Sequence, residues 1–224
     1  MNKEQYLQKI SSELSENIKK QRRIFINIDK ESFINLFKIN AKNEMIKRNI
    51  DKDFIIDKDN AEVIDNLYYY LIQNNEFKAY KNNKKIDGDF NKGILLSGEI
   101  GTGKTIIISS FCNIIEGLSD KIIEKYHSKQ LIKRLNDEQD DEYFNERPLF
   151  IDDIGKEAKE IIDYGTRKYP MTDLFSTRYN YGAWTFGTTN YTEKTLESYY
   201  GESITDRFNE IFNLLILKGK SRRI

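Results

Sequence analysis

The run Gly98-Glu99-Ile100-Gly101-Thr102-Gly103-Lys104-Thr105 constrains this chain more than any other stretch. It fits the pattern G-x-x-x-x-G-K-[ST] at every fixed position. It lies between a short apolar run, Gly93-Ile94-Leu95-Leu96-Ser97, and a helical pattern from Lys104 to about Leu118. Glycines at these positions let the main chain curl so that successive N–H groups converge on an anion. The helix that follows turns its positive end toward the same point. Lys104 then reaches the outer phosphates of a nucleoside triphosphate, and the Thr105 hydroxyl is a ligand for Mg2+. Gly98, Glu99, Ile100, Gly101, Thr102, Gly103, Lys104 and Thr105 are therefore candidate nucleotide-binding residues. A short apolar strand feeding such a loop belongs in a parallel sheet covered on both faces.

Other apolar runs, Leu149-Phe150-Ile151, Trp184-Thr185-Phe186 and Leu214-Leu215-Ile216-Leu217, also read as buried strands, and helical patterns separate most of them. The expected class is α/β, with right-handed crossovers between parallel strands. In such a sheet the C-terminal strand ends share one edge, and ligands sit there. Asp152 and Asp153 follow Ile151. Asp152 is placed to hold the water shell of a metal, and Asp153 to orient and polarise an attacking water. Thr188-Thr189-Asn190 follows Gly187, and the Asn190 amide suits that water or the terminal phosphate; it also suits the cap of a turn. Arg207 precedes the last strand. Set against a neighbouring subunit's terminal phosphate, its guanidinium would stabilise the charge that spreads in phosphoryl transfer. A local ion pair with Asp206 or Glu210 is the plainer alternative.

Composition narrows the field further. The chain has 224 residues, room for one α/β domain and a smaller appendage. Its 36 basic side chains balance 36 acidic ones, which excludes a polycation that coats nucleic acid indiscriminately. One cysteine, Cys112, excludes an internal disulfide. One histidine, His127, argues against zinc sites and serine–histidine triads. The polar N-terminus does not read as a signal peptide, and no apolar run approaches the ~20 residues that span a bilayer. A soluble cytoplasmic protein with no membrane partner is expected.

Residues 1–58 read as a helical region. Tyr6, Ile10, Leu14 and Ile18 recur every fourth residue, and a second pattern surrounds Phe33, Leu36, Phe37, Met45 and Ile46. The first 50 residues hold 11 Lys and Arg against 6 Asp and Glu, which fits either a solvated hairpin or a docking arm. A further helix carries Val63, Ile64, Leu67, Tyr68, Leu71 and Ile72, with Asp57 or Asn60 as its cap. Asp87-Gly88 signals a turn, and the acidic run 137–146 reads as a solvated loop. Trp184, on the strand that leads to Asn190, is expected to report nucleotide by fluorescence.

Taken together, these residues resemble the AAA+ ATPases, and within them the DnaC/IstB-like helicase loaders and transposition ATPases, including phage and mobile-element members. The resemblance spans residues 87–223. It rests on the Walker A loop ending Gly103-Lys104-Thr105, the Walker B segment Phe150-Ile151-Asp152-Asp153-Ile154-Gly155 and the sensor-like Thr188-Thr189-Asn190. Arg178-Tyr179, Asp206-Arg207-Phe208 and the ending Gly219-Lys220-Ser221-Arg222-Arg223, similar to G-x-S-x-R, extend it. It implies a five-stranded parallel sheet sandwiched by helices, a truncated C-terminal lid, a partner-docking region at 1–58 and an ATPase domain at 59–224. It also implies ATP and Mg2+ as cofactors, self-association with Arg207 acting in trans, and a replicative helicase or transposase partner on single-stranded DNA. Arg223, with Arg222 beside it, is the nearest candidate for a second sensor, and Lys218, Lys220, Arg222 and Arg223 could touch the phosphate of ATP or DNA. Asp153 stands where many members have Glu, and a shorter carboxylate holds water differently. The competing readings are an ATP-dependent interaction switch with negligible turnover and a small-molecule or nucleotide kinase. The kinase reading lacks an arginine-rich lid segment, and an ABC-type signature Leu-Ser-Gly-Gly-Gln is absent from the sequence.

Overall fold

A computed structural model describes residues 4–9, 11, 24–136, 143–163 and 165–222. Its main sheet has seven strands, in the spatial order β2 (Lys84–Asp87), β1 (Lys78–Lys81), β9 (Phe212–Leu217), β3 (Gly93–Gly98), β8 (Thr185–Thr189), β5 (Leu149–Ile154) and β4 (Glu124–His127). From β9 to β4 all pairings are parallel, which is the five-stranded core expected from the sequence. Two strands were not expected beside it: β1 and β2 form an antiparallel hairpin on the β9 edge. Asn82 and Asn83 both take positive φ (51° and 60°), the geometry of a two-residue hairpin turn. That turn, rather than Asp87-Gly88, reverses the chain. A separate small hairpin joins β6 (Ile161–Asp163) to β7 (Thr166–Lys168).

Helices cover both faces. One face carries α1 (Lys30–Ile46), α2 (Ala61–Leu71) and α3 (Lys104–Leu118). The other carries α4 (Ser128–Leu135), α5 (Tyr143–Glu146), α6 (Pro170–Asn180), α7 (Glu193–Tyr200) and α8 (Glu202–Ile211). The strands feed the two cores alternately, as period-two geometry requires. Ile94 and Leu96 join Phe111 and Ile115 on the first side, while Leu95 joins Phe175 and Phe208 on the second. Because β3 is covered on both faces, Gly93 to Ser97 are all buried, which explains an unbroken apolar run instead of an alternating one.

Helix α1 forms because Asp29 caps it, accepting the Ser32 N–H at 2.8 Å, and because Phe33, Phe37 and Ala41 stack at four-residue spacing against α3. Ile24, Phe33, Phe37 and Ala41 thus share one core with Ile107, Phe111 and Trp184. At the head of α2 the Asn60 side chain makes no cap, whereas the Asp57 carboxylate accepts the Asp59 N–H (3.0 Å) in the turn that leads in. The Asn60 amide faces backward, accepting the Asp57 N–H (2.9 Å) and donating to the Ile55 carbonyl (2.9 Å). Residues 4–9 are helical, while Ile10, Leu14 and Ile18 fall outside the described residues. Of the acidic run 137–146, only 143–146 is described, and it is no solvated loop: it forms α5, with Phe144 buried in the second core. Beyond β9 the described chain is irregular to Arg222. Among the described residues no helix is long and apolar enough to cross a membrane.

Candidate functional site

The glycine-rich loop joins β3 to α3. Gly101 and Gly103 both lie in the left-handed region, at φ 82° and 101°. A Cβ on Gly103 would meet nothing within 4 Å, so the loop is curled around open space there. Asp29 and Thr192 cap α1 and α7 with their side chains, but Gly103 offers α3 none, and no acidic residue occupies the first turn. The leading N–H groups of α3 therefore have no side-chain cap, the arrangement that suits an anion. Lys104 is buried beneath the loop. Its ammonium donates to the carbonyls of Gly98 (2.8 Å) and Glu99 (2.7 Å) and to Asn190 Oδ1 (2.7 Å). The Thr102 hydroxyl donates to the Glu99 carbonyl (2.8 Å) and braces the curl.

The strand ends supply the rest. Asp152 Oδ1 accepts hydrogen bonds from the Thr105 hydroxyl (2.8 Å) and the Thr188 hydroxyl (2.6 Å). Thr188 Oγ1 in turn accepts the Asp153 N–H (2.9 Å), so one buried hydroxyl sets both carboxylates. Asp153 sits at φ 61°, where the β5–β8 register shifts between Ile151 and Ile154. The bulge turns its side chain toward the sheet edge, and aspartate tolerates the left-handed backbone better than most residues. Its carboxylate meets Asn190 Nδ2 (3.3 Å), Lys156 Nζ (2.8 Å) and His127 Nε2 (3.5 Å). Burial pushes the Asp153 carboxyl up, but the Lys156 hydrogen bond and the nearby charges outweigh it and hold the group below the usual carboxylate range.

Thr105, Lys104, Asp153 and Asn190 open onto a cavity of about 750 Å3, within the ordinary range of ligand sites. Part of its wall is the loop with Asp153, Lys156 and Asn190. Another part comes from residues between Met45 and Ile55, where charged side chains such as Arg48, Asp51 and Lys52 stand among Ile50, Phe54 and Ile55. A wall of mixed character can take a ligand with both charged and apolar parts. The sequence reading missed this wall, as it missed Lys156, His127 and the role of Thr188. His127 ends β4, an edge strand of sequence Glu-Lys-Tyr-His with no apolar run to mark it.

Not every candidate converges. Arg207 lies on α8 away from the cavity, donating to Ser176 Oγ and lying 5.7 Å from the Tyr179 ring centroid. These partners on α6 replace the Asp206 or Glu210 pairing. Arg223 falls outside the described residues, whereas Arg222 lines the cavity. Trp184 stands at the opposite end of β8 from Asn190, about 20 Å away at strand rise. Its indole N–H donates to Tyr70 (2.9 Å), so Trp184 stands in the core and not against the cavity. Behind Asp153, the buried Glu157 accepts the Gly155 N–H (2.9 Å) and the hydroxyl of Tyr200, the last residue of α7.

No protein-family model matches the sequence, and no curated protein does. Solved structures do match. The DnaC helicase loader aligns with a TM-score of 0.57 at 20% identity, covering 74% of this chain and 93% of that one. DnaI aligns at 0.55 and 20% identity, over 76% and 87%. A proposed primosome component from Streptococcus pyogenes serotype M3 aligns at 0.57 and 17% identity, over 76% and 85%. At these identities the likeness is one of architecture: the chain shares the α/β fold of these three proteins.

Proposed function

We propose that the chain is a Mg2+-dependent ATPase that assembles with copies of itself and loads or remodels a replicative helicase on single-stranded DNA. One observation carries the nucleotide part: Lys104, Thr105, Asp153 and Asn190, drawn from three strand ends, line one cavity, and Asp152 is hydrogen-bonded to Thr105 beside it. The loop N–H groups and Lys104 would hold the phosphates. Thr105 and Asp152 present hard oxygens of the kind Mg2+ takes. Among the described residues no cluster of three or more His, Cys, Asp or Glu side chains makes a metal cage, so phosphate oxygens would complete the shell. Bound there, the ion would neutralise charge that develops on the phosphates. Asp153 and Asn190 would orient water, and Arg207 would act on a neighbour's nucleotide.

The partner reading is supported by the fold shared with a helicase loader, and a transposase is the other partner class of that resemblance. The segment before residue 59 would supply docking surface. A second reading, an ATP-dependent interaction switch with negligible turnover, is favoured by a specific feature: both carboxylate oxygens of Asp153 are already engaged, one by Asn190 and one by Lys156. Titration with a fluorescent ATP analogue tests the site. Lys104→Ala should abolish binding, and unchanged affinity would remove the assignment. Turnover measured with and without single-stranded DNA, at concentrations spanning assembly, then separates motor from switch.

A further inference from the structure

One side of the cavity carries a contact between the last described residues and the glycine-rich loop. Beyond β9 the chain returns across the phosphate loop. The Arg222 N–H donates to the Gly101 carbonyl (2.8 Å), and Ser221 packs where a side chain on Gly101 would stand. The Arg222 guanidinium then reaches off the loop and grips both oxygens of Asp57, at 2.8 Å each. Asp57 is itself firmly held. Its N–H donates to Asn60 Oδ1 (2.9 Å), its carboxylate accepts the Asp59 N–H (3.0 Å) and its carbonyl accepts the Ala61 N–H (2.8 Å). Asp57 is thus built into the head of α2. A second attachment lies three residues earlier in the strap, where Gly219, at φ 103°, packs against the Asp59 side chain.

We propose that the Arg222–Asp57 pair is a clasp that fastens the chain beyond β9 onto the phosphate loop and slows the departure of a bound nucleotide. This rests on the nucleotide-binding reading above and deepens it. Arg222 is then a positioning residue and not a phosphate ligand. Its planar fork is filled by a carboxylate in two-bond geometry, the arrangement in which a guanidinium is best matched. The same contact is the main cause that holds the Asp57 carboxyl below its ordinary range. A glycine-rich loop has few side chains of its own to pack, so a tether at Gly101 limits how often the rim opens. Release of a ligand from beneath that rim requires the opening.

The test uses the full chain, a fluorescent ATP analogue and stopped-flow dissociation, with Arg222→Gln, Asp57→Asn and the double variant. The clasp requires each single substitution to raise the off-rate by about fivefold, the scale of a well-formed ion pair near the surface. The double variant should be no worse than either single one, because both remove the same contact. Arg222→Lys, which keeps charge but not the fork, should fall between. If Asp57 instead restrained a phosphate-binding arginine, Asp57→Asn would tighten binding. That result, unchanged off-rates, or losses that track a lowered urea midpoint would each overturn the clasp. A wild-type chain that binds no nucleotide would refute the site assignment itself, whereas binding untouched by these variants would refute the clasp alone.

Discussion

Among the described residues Arg178 is the largest side chain buried without exposure, and its removal has a cost that can be traced bond by bond. Nε donates to Thr185 Oγ1 (3.0 Å), Nη1 to the Phe144 carbonyl, and Nη2 to the carbonyls of Arg147 (3.0 Å) and Trp184 (2.9 Å). The guanidinium therefore pins α5 and the approach to β5 against the start of β8. In Arg178→Ala the Trp184 carbonyl keeps the Leu149 N–H (3.0 Å), and Thr185 Oγ1 keeps its own bond to Ala183. The Phe144 and Arg147 carbonyls each lose their guanidinium donor. An unsatisfied buried acceptor costs about 1–3 kcal/mol, which falls on the Phe144 carbonyl because Arg147 is exposed and water can serve it, and the void left by so large a side chain adds to this. Removing the arginine also removes the cost of taking its charge out of water, which offsets part of the loss, so the net destabilisation should be about 3–5 kcal/mol, a large share of the ~5–15 kcal/mol a domain has. Arg178→Met, which refills the volume without donors, should cost about 1–3 kcal/mol. Urea unfolding followed by emission of Trp184 reads both, since this single tryptophan is buried beside the altered site. A loss below about 1 kcal/mol in Arg178→Ala would mean the carbonyls find other partners, and the accounting would fail.

The remaining expectations concern the site and one helix contact. Asp153→Asn should keep nucleotide affinity and cut hydrolysis by about 100-fold or more, the usual scale for losing a group that orients and activates water; retained turnover in a phosphate-release assay would assign that water to another residue. Arg207→Ala should lose turnover and regain it when mixed with Lys104→Ala chains, which still offer an intact Arg207 to a neighbour; no recovery on mixing would remove the in-trans role. Glu44 is buried, which raises its carboxyl, but hydrogen bonds from Lys47, Arg48 and Asn113 prevail and lower it from 4.5 to about 2. As pH falls through this window the unfolded chain takes up the proton first, so stability present above pH 4.5 is lost progressively down to about pH 2. Glu44→Gln should flatten that acid limb, and urea midpoints across the window would show it; an unchanged limb would mean that other carboxylates govern it.

What the sequence disclosed depended on how local the determinant was. The glycine-rich loop is a contiguous run, so its place between a buried strand and a helix that opens at Lys104 could be read before any fold was known. Strands β3, β5, β8 and β9 sit inside the sheet and carried apolar runs in proportion. Strand β4 lies at the edge, with no residue fully buried, and left no such mark. The cavity wall from residues 45–55 was illegible because its position follows from α1 packing on α3, a tertiary contact between Phe33, Phe37 and Ala41 and the far helix. The Arg222–Asp57 pair joins positions 165 residues apart, and no spacing rule reaches that far. Arg207 was identifiable as a late arginine, but the direction it faces is set by Ser176 and Tyr179 on another helix.

Glu157 gives the molecule a lever. Its carboxyl holds the Gly155 N–H, two residues past Asp153, and also takes the hydroxyl of Tyr200, which is separated only by Gly201 from the helix bearing Arg207. A buried carboxyl gives up neither partner cheaply. The turn under the water-facing carboxylate and the α7–α8 pair are therefore coupled mechanically. A displacement of α8 would therefore strain the same carboxyl that fixes the turn after Asp153, so the helix bearing Arg207 and the sheet edge share one buried joint.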